Sequence, residues 1–156
     1  MPSFYRTYTS PDLCNKAHPV PHNGDKSLRI ALAHRALTAQ MLLSPDDIIV
    51  THGCIEALNL ALRAVTQQGD LVAVESPTFF GLLQVLDSLK LKVLEIPTSP
   101  SSGISLEALQ RAADHYPMLR ALVVVPNVQN PLGCVMPDGH KQALGGMVRI
   151  TESSFD

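Results

Sequence analysis

Three short stretches of this sequence carry residue types that can hold a ligand, and each follows an apolar run. Thr51-His52-Gly53-Cys54-Ile55 is a glycine turn that opens directly into a helical pattern. Backbone N–H groups at a helix start lack intrahelical acceptors, and the helix dipole makes that end favourable for a phosphate. By itself such a glycine is more often only a tight turn. Glu75-Ser76-Pro77-Thr78-Phe79-Phe80-Gly81 places two aromatic rings just beyond an apolar run, where one could stack on a flat ligand or simply fill core. Pro126-Asn127-Val128-Gln129-Asn130-Pro131-Leu132-Gly133 is a polar loop pinned by Pro131 and Gly133, able to present an Asn amide rigidly or merely to cap a strand.

These stretches need a scaffold, and hydrophobic periodicity outlines one. Residues 1–27 hold Pro2, Pro11, Pro19, Pro21 and Gly24 with little periodicity and read as an extended arm. Leu28, Leu32, Ala36, Ala39 and Leu43 recur at helical spacing until Ser44-Pro45 ends the pattern. Ile48–Val50 reads as a short strand. A second helix carries Ile55, Leu58, Leu62 and Val65 on one face and closes at Gly69. Leu71–Val74 is a strand, Leu82, Leu86 and Leu89 mark a helix, and Val93–Ile96 is a strand. Ser105 is placed to cap a helix using Leu106, Leu109 and Ala113. Ala121–Val125, an unbroken apolar run, suits a strand covered on both faces. Helix and strand therefore alternate with short links, as in an α/β domain built by right-handed crossovers. A helix start near Asp138 is interrupted at Gly145-Gly146, and Met147–Ile150 reads as a short strand.

Ligands of open parallel sheets bind at the carboxyl ends of strands, which is where all three stretches fall. At 156 residues with 46% hydrophobic content, the chain has room for one domain with a core. A formal charge of −2 and the lack of any Lys/Arg run argue against nucleic acid as a partner. No apolar stretch approaches the roughly 20 residues of a membrane span, and the first residues lack the apolar segment of a signal peptide, so the expected compartment is the cytoplasm. Cys14, Cys54 and Cys134 stand far apart and are expected to be reduced thiols rather than metal ligands. His18 and His22 are separated by Pro19 and Pro21, which forbid a shared helix face, so no metal site is expected. A nucleotide-binding Rossmann domain is disfavoured because no G-x-G-x-x-G follows any strand.

Taken in order, Gly24-Asp25-Lys26-Ser27-Leu28-Arg29, Ile49-Val50-Thr51-His52-Gly53, the run Gly69 to Phe79, and Gln129-Asn130-Pro131-Leu132-Gly133 resemble the pyridoxal-phosphate (PLP)-dependent fold type I aminotransferases. The likeness is greatest to the aminotransferase-like domain of MocR-type (GntR family) transcriptional regulators and runs from about Gly24 to Asp138. It implies a three-layer α/β/α large domain with a mostly parallel sheet, represented here in part: an arm at 1–27, domain residues 28–144 and an atypical tail at 145–156. It implies PLP as cofactor, with its phosphate on the amides of Gly53, Cys54 and Ile55, Phe79 stacked on its ring, and Asn130 donating to its phenolic oxygen, although weak or absent binding is expected of this stretch by itself. Cys54 and Ile55 depart from the usual residues at their positions, but backbone donors survive any substitution except proline.

The resemblance also says what this stretch does not supply. PLP chemistry needs a lysine for the imine and a carboxylate on the pyridine nitrogen, and relatives carry both on later strands. Lys26 precedes the first helix, Lys90 and Lys92 fall at the amino end of a strand and Lys141 lies in the last helix, so none of these four is placed to form the imine. Glu152 could imitate the carboxylate only at an unusual spacing. No catalytic residue is therefore expected; a frameshift or an interrupted gene is the simplest origin of the tail. Two functions follow: a non-catalytic part of an aminotransferase-type protein, whose complete relatives exchange amino groups between amino acids and 2-oxo acids as homodimers, or a sensor or dimerisation piece of a MocR-type regulator. A sheet lacking its remaining strands is expected to expose an edge and an apolar face and to aggregate or unfold in part when made alone.

Overall fold

The computed structural model describes residues 22–147, which fall into two compact units meeting in sequence at Gly53 and Cys54. Cys14, His18 and Glu152 lie outside the described residues. In the first unit, helix α1 (Lys26–Thr38) is started by Asp25, whose carboxylate accepts from the Leu28 amide at 2.9 Å. The side chains it buries are Ala33, Ala36 and Arg29, while Leu28 and Leu32 are exposed. Arg29 is satisfied there by the Pro45 carbonyl at 2.6 Å, Asp46 Oδ1 at 3.0 Å and the Gly24 carbonyl. A short 3-10 turn, Pro45–Asp47, is closed by reciprocal bonds between Ser44 and Asp47.

Two expectations for this unit are corrected. Helix α1 ends at Thr38 rather than near Leu43, because Gln40 adopts a left-handed φ of 59° and the Gln40 and Met41 amides fold back onto Leu37 and Ala36 carbonyls. Ile48–Val50 forms no strand; Val50 N–H bonds the Asn23 carbonyl, and among the described residues of this unit no strand is present for the segment to pair with. Gly24 allows that approach: at φ +97° a Cβ on it would stand 2.5 Å from Val50 Cβ.

The second unit is the α/β part. Its helices are α2 (Cys54–Val65), α3 (Phe80–Ser88), α4 (Leu106–His115) and α5 (Asp138–Met147); its strands are β1 (Leu71–Ser76), β2 (Lys92–Ser99), β3 (Gly103–Ile104) and β4 (Leu119–Val123). The sheet order is β3-β2-β1-β4, with β1 parallel to both β2 and β4, and β3 antiparallel on β2. This is the expected mostly parallel sheet.

Strand β1 is central and almost wholly buried, as its run of apolar residues requires. Its side chains alternate between two cores. Val72 and Val74 pack with Leu62, Leu82, Val85, Leu86 and Leu91 under α2 and α3. Ala73 packs on the other face with Ile96, Leu109, Ala112, Met136 and Leu144 under α4 and α5. The result is three layers, helix on sheet on helix. Burying Leu86 or Val74 fully contributes on the order of 1.5–3 kcal/mol each. Ser105 caps α4 as expected, its hydroxyl accepting from Ala108 N, although Ala112 rather than Ala113 faces the core.

Three boundaries shift. β2 is longer than Val93–Ile96 because its end turns into β3. β4 spans Leu119–Val123 rather than Ala121–Val125 and is half-buried, since among the described residues it forms an edge of the sheet. α5 continues through Gly145-Gly146, so Met147 closes a helix instead of opening a strand; residues 148–150 lie outside the described residues.

Candidate functional site

Because β1 and β4 are parallel neighbours, their carboxyl ends emerge side by side, and the loops carrying Phe79 and Asn130 leave from the same edge. Helix α2 reaches that edge from the other direction. It ends at Val65, and the chain turns within five residues into β1, so a helix of 12 residues, about 18 Å long, runs back along a strand of similar length. Its first residues, Cys54 and Ile55, therefore stand toward the carboxyl edge.

Cys54 begins α2 and is exposed, as is Ile55. Gly53, the last residue of the first unit, has φ +127° with open space around the position of an added Cβ, and its carbonyl accepts from Thr51 Oγ1 at 3.0 Å. Such a glycine lets the chain turn into the helix. Phe79 is the N-cap residue of α3, half-buried, its ring 4.9 Å from that of Phe80 at 57°. Asn130 is exposed on the β4 loop.

Three residues named in the sequence only as parts of motifs shape this edge. Glu75, 1% exposed, accepts from the Val125 amide at 2.9 Å, one step beyond the point where the β1–β4 ladder stops. Burial pushes its carboxyl above the ordinary value, against the Val125 amide and then the Gln129 side chain, which pull it down. Gln129, also 1% exposed, directs Nε2 to the Pro77 carbonyl at 2.8 Å and accepts from Leu132 N at 2.9 Å; its amide also lies beside the Glu75 carboxylate, short of a well-formed bond to Glu75 Oε1. Gly81 is the third: a Cβ there would lie 2.4 Å from Phe79 Cε1. Periodicity could not reveal these contacts, because Glu75 and Val125 are 50 positions apart.

Lys90 and Lys92 stand at the amino end of β2, the edge opposite to Phe79 and Asn130, and Lys141 pairs with Asp138 at 3.1 Å. A concavity of about 480 Å³ lies elsewhere, lined by Pro97, Gly103, Ser105, Glu107 and His140 among others. It touches neither Phe79 nor Asn130, and the strand-end chemistry rather than this hollow is the better guide to the site. Among the described residues no group of metal-ligating side chains is found, and no helix is long and apolar enough to cross a membrane.

A three-layer sheet with a glycine-led helix start, a strand-end aromatic and a strand-end amide defines a large domain of the PLP-transferase type. The model of the family "Aminotransferase class I and II" matches residues 15–149, and the chain belongs to that family. It is 46% identical over 121 residues to the HTH-type transcriptional regulator YjiR of Escherichia coli, covering 78% of this chain and 26% of that protein. A probable aspartate aminotransferase of Methanocaldococcus jannaschii is 27% identical over 88% of this chain and 35% of its own length. Among solved structures, an archaeal alanine:glyoxylate aminotransferase superposes with a TM-score of 0.76 at 25% identity, over 87% of this chain and 36% of that one. The chain thus spans about a quarter to a third of the proteins it matches.

The cofactor of this family is PLP, and the residues present suit it: a helix start that follows a glycine for an anion, a half-buried ring held by its neighbours, and an exposed amide on a pinned loop.

Proposed function

We propose that this chain supplies the noncovalent part of a PLP site in an aminotransferase-type domain. The Gly53, Cys54 and Ile55 amides seat the phosphate, Phe79 covers one face of the pyridine ring, and Asn130 donates its amide N–H to the phenolic oxygen. When bound, PLP supplies an electron sink for the bonds at a substrate amine's Cα; the residues named here bind and orient it. The observation that supports this reading is the parallel pairing of β1 and β4, which sends the Phe79 and Asn130 loops off the same carboxyl edge of the sheet. Titration of the purified chain with PLP, followed in the visible spectrum before and after borohydride, tests it. A saturable spectral change that dialysis reverses, with no lysine adduct, is expected; either no saturable change or a borohydride-fixed adduct on one lysine overturns it.

A second reading is favoured by the greater identity to a regulator than to an aminotransferase, 46% against 27%. In it the domain senses PLP or an amino acid for a MocR-type regulator, in the cytoplasm and as a homodimer, as members of the family pair. Sequencing the flanking DNA separates the two: a winged-helix segment upstream supports the regulator, and its absence there supports the enzyme-type protein.

A further inference from the structure

The β1 and β4 loops are tied to each other by two buried side chains, one from each side. Glu75 reaches from β1 to the Val125 amide, taking over as acceptor where the backbone ladder ends at Val74 and Val123. Gln129 reaches back from the β4 loop to the Pro77 carbonyl and holds its own loop closed by accepting from Leu132 N, while its backbone N–H bonds the Cys134 carbonyl at 3.0 Å and its carbonyl accepts from Gly133 N. Both are 1% exposed. Phe79 follows Pro77 by two residues, and Asn130 is the residue after Gln129. The two groups expected to face the pyridine ring therefore project from backbone fixed by this reciprocal pair. A buried bond of this kind is costly to leave half-made, so its members are held to one geometry.

We infer that Glu75 and Gln129 are positioning residues that set the separation of Phe79 and Asn130, and so the orientation of the cofactor ring, without touching it; this rests on the PLP reading above. The Glu75 role needs an acceptor for Val125 N–H and not a negative charge, so Glu75→Gln preserves it and Glu75→Ala does not. Gln129→Met keeps the volume and removes the bonds to Pro77 and Leu132.

PLP is achiral, so a visible circular-dichroism band arises only when the protein fixes its ring in a chiral setting. The experiment compares that band in the wild-type chain and the three variants at saturating PLP. In parallel, inorganic phosphate is titrated while the Cys54 and Ile55 amide resonances are followed. The expected result is a band at least threefold weaker in Glu75→Ala and Gln129→Met, wild-type in Glu75→Gln, with phosphate affinity within twofold in all four. A wild-type band in both disrupted variants overturns the inference while leaving the cofactor reading intact. So does a Glu75→Gln band as weak as that of Glu75→Ala. No band in the wild-type chain sinks the cofactor reading itself, and the inference with it. Should Glu75→Ala fail to fold, Glu75→Gln and Gln129→Met decide the matter, both preserving side-chain volume.

Discussion

Replacing Gly81 by alanine isolates the contribution of Phe79 without weakening the fold. Gly81 is the second residue of α3 and carries no positive φ, so alanine suits its backbone and gains up to about 1 kcal/mol of helix propensity. The new methyl would stand 2.4 Å from Cε1 and 2.6 Å from Cζ of Phe79. Carbon atoms at rest keep about 3.5–4 Å apart, so the ring must retreat by about 1 Å or more. It can, being the far end of a side chain that is only half-buried, and the loss is its packing on Phe80, about 0.5–1.5 kcal/mol. The two contributions nearly cancel. Stability is expected to change by less than about 1 kcal/mol, a shift of about 4 °C or less in the melting midpoint. The displaced ring no longer stacks, and PLP affinity falls about threefold to tenfold, the equivalent of one aromatic contact. Thermal denaturation and a PLP titration measure both. The decisive control repeats Gly81→Ala in a Phe79→Ala background, where the change should cost no affinity. If it costs as much there as in the wild-type chain, the methyl acts by some route other than the ring and the reasoning fails.

Further outcomes follow from the same contacts. The Glu75 carboxyl is raised in the folded state above its ordinary value of 4.5, so the folded chain binds more protons than the unfolded one in that range. The Glu75 contribution to stability is therefore full below pH 4.5 and is lost as the pH rises through the folded-state pKa, whereas Glu75→Gln lacks this contribution; urea denaturation of both chains across pH 4–8 should show the difference between them moving steadily in favour of the variant. Cys54→Pro deletes one amide donor at a position where a helix tolerates proline, and should weaken PLP about tenfold, the cost of one hydrogen bond to a charged group, while Cys54→Ser leaves affinity unchanged. Asn130→Ala, at an exposed loop position, should alter the visible spectrum of bound PLP yet change stability by no more than about 0.5 kcal/mol in a melting experiment. Ser105→Ala should lose about 1 kcal/mol by removing the α4 cap and leave PLP binding alone.

What the sequence made legible is what depends on neighbours in the chain. The 3.6-residue spacing of Leu58 and Leu62, the cap at Ser105 and the buried run of β1 are local signals, and each maps onto an element close to where it was read. The strand-end placement of Phe79 and Asn130 was legible too, since it needs only the order of elements. Ile48–Val50 was not: its β-branched composition is that of a strand, but a strand exists only where another backbone accepts its hydrogen bonds, and among the described residues only the Val50 amide finds such an acceptor, at Asn23. The end of α1 was misread because the stop is made by Gln40 entering the left-handed region, a conformation that glycine or asparagine would have announced and glutamine does not. The same distinction governs the site. Residues that would touch a ligand sit on loops whose glycines and prolines mark them, whereas Glu75 and Gln129 matter through partners fixed only by folding. In a strand-end motif of the form Glu-x-Pro, a carboxylate that is buried and accepts from the loop of the adjacent strand serves that loop, and such a partner depends on which strand lies beside it.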